Sequence, residues 1–173
     1  MFKKIIGLIV VPFLLQAANL TVQKGTVQAH TEVFGDSHID SSSNKIIASM
    51  TMDNTIESLK GTLKISVLDL KSSKTSRDEH MYKALEAKTY PNISVMVQRV
   101  SKKDEKYFLE GTVTLHGVTK PFSTLATIST QGDQITLKGT FSISMKSYGI
   151  KPIKLLFLTV RDQVDIIYDL TLG

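Results

Sequence analysis

Arg77 and His80 lie three residues apart on a predicted helix and share one face of it. Met81 follows Arg77 at i+4 and begins an apolar stripe. A cation and an imidazole beside such a stripe suit the polar end of an amphiphile. A second reading has Arg77 pairing with a carboxylate and pinning the helix over one end of a barrel. The four histidines are His30, His38, His80 and His116. None have the close spacing of a zinc site, such as i and i+4 on a helix. Asp78 and Glu79 adjoin His80, but successive helical residues point in different directions. His116 falls on the outward phase of a strand whose inward phase is set by Val113 and Leu115. No serine sits in a nucleophile elbow, no glycine-rich phosphate loop occurs, and nothing selects a carboxylate pair. With no cysteine, disulfides, thiolate metal sites and thiol nucleophiles are excluded. No catalytic residue and no metal ligand is assigned, and the chain reads as a binding or structural protein.

The elements that must position these residues are mostly strands. Residues 20–34 alternate loosely and read as one or two strands, and Gly35 to Asn44 reads as a polar connection. Ile46, Ala48, Met50 and Met52 share one side of a run from Lys45 to Met52. Gly61 to Leu70 is a clear strand with Leu63, Ile65 and Val67 facing one way. The period then changes. Ser76-Arg77-Asp78-Glu79 has the form of a capping box. Met81, Ala84, Leu85 and Lys88 fall at i, i+3, i+4 and i+7 of a short helix that Tyr90-Pro91 stops. Ile93, Val95 and Val97 resume the two-residue period. After a charged turn, Tyr107 to Leu115 returns. Gly117 makes a corner, Pro121 ends ladder pairing, and a new run starts at Phe122. Phe141, Ile143 and Met145 belong to the longest alternating series. Ser147 to Leu158 does not alternate, and Ile150 to Leu158 reads as a flap over one end of the barrel. Val164 to Leu172 is the last strand. About eight strands in hairpin succession, each with one apolar side, predict an all-β fold: a closed eight-stranded antiparallel barrel with one short helix.

Composition adds a compartment. The 173 residues carry 42% hydrophobic and 21% charged side chains, enough for one globular domain. Met1-Phe2-Lys3-Lys4, the apolar run Ile5 to Leu15 and the small residues Ala17-Ala18 form a secretory signal peptide over residues 1–18. The mature domain is then 19–173, beginning between Ala18 and Thr21, and a bacterial periplasm is the expected location. Without Lys3 and Lys4 the 21 basic residues become 19 against 16 acidic. Lys102-Lys103 is neutralised at once by Asp104-Glu105. There is no tryptophan and aromatics are 7%, so nucleic-acid binding is set aside.

Several segments, in order, resemble the YceI-like polyisoprenoid-binding family. They are Gly61–Leu70, Arg77-Asp78-Glu79-His80-Met81, Tyr90-Pro91, Leu115-His116-Gly117-Val118-Thr119-Lys120-Pro121, Tyr148-Gly149-Ile150 and the strand Val164–Leu170. The resemblance runs from about Leu20. At the position before the aromatic-Gly-Ile segment, where the family usually has an acidic residue or asparagine, stands Ser147. The resemblance implies an exported lipocalin-like barrel with an apolar pore, no catalytic residue, and an isoprenoid quinone or polyprenyl lipid as the bound molecule. The expected lining is Leu63, Ile65, Val67, Met81, Leu85, Ile93, Val95, Val97, Val113, Leu115, Phe141, Ile143, Met145, Tyr148 and Phe157, with Arg77 and His80 at the polar end. Three functions compete: a carrier of an isoprenoid or fatty amphiphile with transient membrane contact, a structural or stress-related protein (in either case as a monomer or homodimer) with a filled barrel, and an enzyme on the same scaffold. The inward set is mostly medium aliphatics with Phe122, Phe141 and Tyr168 as its bulky members, which is compatible with leftover interior volume.

Overall fold

The computed structural model describes residues 17–33, 36–151, 154–155 and 158–173; for residues 36–38, 154–155 and 158 it describes the backbone. Most of residues 1–18, together with Phe157, lie outside the described residues. The strands are β1 (Ala18–Leu20), β2 (Val22–Val33), β3 (Asp36–Ser43), β4 (Ile46–Met52), β5 (Lys60–Ser66), β6 (Asn92–Lys103), β7 (Lys106–Leu115), β8 (Val118–Gln131), β9 (Gln134–Ser144), β10 (Lys154–Leu155), β11 (Leu158–Thr159) and β12 (Gln163–Leu172). One helix, α1 (Thr75–Ala84), and three short 3-10 turns complete the described elements.

The expected closed eight-stranded barrel is not what forms. Ten antiparallel strands make one curled sheet in the order β1-β4-β5-β6-β7-β8-β9-β12-β2-β3, a half-barrel with β1 and β3 at its edges, and β10 and β11 form a separate hairpin. Two features account for the difference. Gly35 to Asn44, read as a connection, contains β3, which folds back on β2 with Thr31 opposite Ile39 and Val27 opposite Ser43. Its polar residues concealed it, yet polarity is how an edge strand avoids pairing with another chain. On the far side, β5 ends at Ser66, so the strand expected to run to Leu70 turns instead into a 3-10 segment at Val67–Asp69. A single antiparallel bridge, Ser42 with Lys71, crosses the seam.

Interior packing divides the half-barrel lengthwise. One end is solid. Met50, Leu59, Val97, Val100, Leu109, Ile128, Ile135, Leu137, Leu170 and Leu172 form its buried cluster. A β-bulge between Val97 and Arg99, opposite Gly111 and Glu110, carries β6 into this cluster by bringing Val100 inward after Val97. The other end collects the helix and the turn at Lys146–Tyr148, whose Tyr148 packs with Val113 and Leu115.

Two local expectations are corrected here. The helix begins at Thr75 after Lys74 without a side-chain cap, so Ser76–Glu79 is not a capping box. Asp78, 5% exposed, reaches back to accept from the Ser72 N–H at 2.8 Å. The helix also ends before Tyr90: Glu86 takes a φ of 47°, and Lys88 is exposed. Tyr82, off the predicted stripe, donates to Leu70 O at 2.6 Å and locks the helix to the turn after β5. Pro121 does not interrupt pairing. It sits in β8 opposite Thr112, where β8 has β7 alone as a neighbour, because pairing with β9 begins at Ala126. A residue with no N–H is tolerated at such an unpaired flank.

The edge strand carries a titrating contact. His30 and Asp40 are register partners across β2 and β3, with Nδ1 2.6 Å from Oδ1. The hydrogen bond to Asp40 raises the His30 pKa above 6.5 despite partial desolvation. A raised folded value means this stabilisation is complete below pH 6.5 and lost as pH rises through the folded value. Amide exchange in β3 should therefore accelerate, relative to β7, as pH is raised above that window, after correction for intrinsic rates. His30→Gln should remove the difference; a β3-to-β7 ratio independent of pH in the wild type would refute it.

Candidate functional site

Above the solid end, the inward residues of the curled sheet leave space. An inner space of about 760 Å3, open solvent included, is lined by Val27, Ala29, Ile46, Leu63, Ile65, Leu70, Ile93, Val95, Val113, Leu115, Phe141, Ile143, Ile166, Tyr168 and Leu170. An upper volume of about 930 Å3, partly open to solvent, is lined from the same strands and from the helix end by Arg77, His80, Met81 and Leu85, with Met145, Ile150 and Val160. Ala29, Leu70, Ile93, Leu115, Ile143 and Ile166 line both. The two are therefore segments of one tunnel, running from the helix end toward the packed core.

The walls follow from strand period. Ile93, Val95 and Leu63 meet across β5 and β6, where Leu63 pairs with Val95 and Ile65 with Ile93. Val95 pairs in turn with Val113. On the other wall Phe141 is opposite Ile166, and Ile143 opposite Val164. Consecutive inward residues on neighbouring strands lie one above another, so a common phase produces a continuous apolar lining. At the inner end Phe122, Phe141 and Tyr168 form a run of rings, with centroids 5.1 Å and 6.5 Å apart. The Tyr168 ring lies across Gly139, its partner on β9; a Cβ there would stand 2.2 Å from the phenol oxygen. Burial pushes the Tyr168 pKa up to about 12. The phenol oxygen is buried and has no hydrogen-bond partner among the described residues. The nearby Thr124 hydroxyl is engaged with Thr140 O at 2.9 Å.

Of the residues expected to line a pore, Leu63, Ile65, Met81, Leu85, Ile93, Val95, Val113, Leu115, Phe141, Ile143 and Met145 lie on the tunnel wall, as do Arg77 and His80 at its mouth. Three lie elsewhere. Val67 is buried in the 3-10 turn, because β5 ends one residue earlier. Val97 belongs to the solid end, below the tunnel floor. Tyr148 packs in the cluster behind the mouth with Val113, Leu115 and Val160. Wall residues not anticipated include Ala29, Thr31, Ile39, Ser41, Leu70 and Ile150. Ile39 and Ser41 belong to the unrecognised strand β3. Ile39-Asp40-Ser41, read as a two-residue alternation, was the signal for it.

The mouth is pinned by groups of mixed chemistry. His116 is not on an outward strand phase. With Gly117 it forms the two-residue turn between β7 and β8, with φ of 52° and 73°, as a primed turn requires. Its side chain is 12% exposed. Nδ1–H donates to Tyr148 O at 3.1 Å, the ring packs at a tilt against Tyr90 at 4.6 Å, and Nε2 stands 3.4 Å from Glu86 Oε1. Asp162, just before β12, holds the turn at Lys146–Tyr148: Ser144 Oγ donates to it at 2.6 Å and the Lys146 N–H at 2.9 Å. The Ser144 bond first, then the Lys146 bond, keep the Asp162 carboxyl below its ordinary value. Among the described residues no group of His, Asp or Glu could hold a metal ion, and no helix is long and apolar enough to cross a membrane.

A curled antiparallel sheet around an apolar tunnel, with one helix at its mouth, is a lipocalin-like architecture. The YceI-like domain model matches residues 19–172, and the chain belongs to that family, one of binding proteins. Solved structures agree in fold. BcnA of Burkholderia cenocepacia is 18% identical, with a TM-score of 0.74 over 85% of this chain and 95% of that one. A polyisoprenoid binding domain from Saccharophagus degradans is 13% identical, with a TM-score of 0.65 over 89% and 97%. The Campylobacter jejuni YceI protein is 20% identical, with a TM-score of 0.61 over 73% and 80%. No curated protein matches the sequence.

The orphaned phenol makes a prediction. A buried hydroxyl without a partner costs about 1–3 kcal/mol in desolvation. Tyr168→Phe removes that cost and keeps the ring over Gly139. The ligand-free variant should unfold at a temperature equal to or above that of the wild type in calorimetry. A fall of several degrees would mean the hydroxyl is satisfied in solution.

Proposed function

We propose that this protein is a periplasmic carrier of an isoprenoid lipid or similar elongated amphiphile, held with its chain in the tunnel. The observation that supports this best is the continuity of the lining: six apolar or small side chains belong to both volumes, so one extended chain could occupy the full depth. Family membership and the Saccharophagus domain, described as polyisoprenoid binding, support a lipid in that role. An isoprenoid quinone or a polyprenyl lipid would suit the tunnel's shape and apolar walls. Arg77, half-buried at the mouth, would do two things: hold the helix and face the polar end of the bound molecule. Export would follow from residues 1–18, and a mature chain that begins at Asn19 would keep Leu20 of β1, which is 4% exposed.

Ile143 lines both volumes and tests the proposal. In a filled core a larger side chain overpacks and typically costs about 1–3 kcal/mol. In an occupied tunnel the new ring takes the ligand's place. Ile143→Trp should abolish co-purification of lipid, measured by mass spectrometry of organic extracts. The melting temperature of delipidated protein should change little. A strongly destabilised variant, with wild type that carries no lipid, would instead indicate a structural protein with a filled interior.

Export has its own check. Protein recovered from the periplasm should show an intact mass that begins between Ala18 and Thr21. A full-length mass in that fraction would overturn it.

A further inference from the structure

The upper tunnel wall carries two groups that can be oxidised. Cysteine and tryptophan are absent from the chain, so the thioethers of its six methionines are its most readily oxidised side chains. Their settings differ. Met50 is 1% exposed in the solid end, and Met52 packs against that core. Met96 is 47% exposed on the outer face of β6, opposite Thr62 and Thr112. Met81 and Met145 line the upper tunnel. Met145 is 6% exposed, whereas Met81 is half-buried on α1, at the end of the tunnel that opens to solvent. Leu85, Leu115, Ile143, Ile150 and Val160 share that wall with it.

We propose that Met81 is an oxidation site that controls occupancy of the tunnel. The oxidant is a peroxide, small enough to enter by the mouth. The sulfur lone pair attacks one peroxide oxygen and the O–O bond breaks. The proton of the transferred hydroxyl passes to the departing hydroxide, which leaves as water. The thioether is oxidised by two electrons to a sulfoxide, and the peroxide is reduced. The inference rests on the tunnel binding an apolar chain and adds a control on that same site. Oxidation turns a flexible apolar side chain into a polar one. In the empty tunnel, water from the mouth solvates the sulfoxide oxygen. A bound hydrocarbon chain removes that water and supplies no donor, so the oxidised wall disfavours cargo. A donor lent by Arg77 or His80, on the same helix, is one withdrawn from the polar end of the cargo and does not restore binding. A sulfoxide at Met96 stays in solvent whether the tunnel is full or empty.

The test uses delipidated protein, hydrogen peroxide as the oxidant and farnesol as the apolar probe. Peptide mass mapping gives the sulfoxide at each methionine, and calorimetry gives the farnesol affinity of the same samples. Wild-type affinity should fall about tenfold or more, in step with sulfoxide at Met81 and not with that at Met96. Methionine sulfoxide reductase should restore it. Bound farnesol should shield Met81 and leave the rate at Met96 unchanged. Met81→Leu conserves volume; its affinity should be the same before and after peroxide, whatever its starting value. Met81→Gln sets a polar amide where the sulfoxide would stand, and without peroxide it should bind as weakly as oxidised wild type. Three results would overturn the site and leave the tunnel reading intact: full sulfoxide at Met81 with unchanged affinity, an affinity loss undiminished in Met81→Leu, or Met81 left unoxidised when Met96 is fully converted. Untreated wild type that does not bind farnesol would overturn the tunnel reading, and the control with it.

Discussion

The hollow half of this protein depends on His116. A curled sheet with unpaired edges has no means of its own to hold a helix and two turns around an open mouth. The two-residue turn between β7 and β8 rotates His116 off the strand phase and buries its ring among segments far apart in sequence. It donates to the turn at Tyr148, packs its ring at a tilt against Tyr90, just before β6, and stands beside Glu86. These contacts add to the apolar cluster of Leu115, Met145, Tyr148, Ile150 and Val160 behind the mouth. Each contact is modest, and together they fix three segments with one side chain. A solid mouth would have given more burial and no opening.

The same economy explains why the sheet need not close. A barrel removes its edges by pairing the last strand with the first. Here β3 is polar and is bridged once to Lys71, and the space where further pairing would occur is taken by the segment that leads into α1. Tyr82 and Asp78 hold that segment, through Leu70 O and the Ser72 N–H. The helix therefore sits at the seam, and its Arg77, His80 and Met81 reach the tunnel. Moving the same residues onto a strand would place them at the wall and leave the seam open.

Strand phase was the legible part of the sequence. Leu63, Ile65, Ile93, Val95, Val113, Leu115, Phe141 and Ile143 share an inward phase, and phase is a local property that sequence carries directly. How far along a strand the interior changes from hollow to packed is not local. Val97 has the same phase as Val95, yet it lies in the core, because the bulge after it brings Val100 to the same interior. Val67 has the same phase as Ile65, yet its strand has already ended. β3 was illegible for another reason. An edge strand selected to be polar looks like a loop, and only Ile39 and Ser41 on one side record its pleat. His116 was misplaced because a turn with positive φ breaks the alternation on which the reading relied.

The depth of the tunnel is set where two size choices coincide. Gly139 has no side chain, and the Tyr168 ring opposite it lies across the gap, so the ring narrows the inner end of the hollow together with Phe122 and Phe141. A side chain at 139 would have to displace the ring, and a small residue at 168 would widen the inner end of the hollow, which Leu170 already lines. Under the proposed function this inner end bears on energetics as well as length. Each methylene moved from water into the tunnel gains about 0.8 kcal/mol, but a bilayer offers the same gain. Exchange with a membrane is then nearly neutral per methylene, and a tunnel that ends blind adds no penalty of its own. On that reading net preference would come from the mouth, where the polar end of a bound molecule would meet His80 and the helix rather than lipid head groups. A protein built this way takes up and gives back its cargo readily, which suits transfer better than storage.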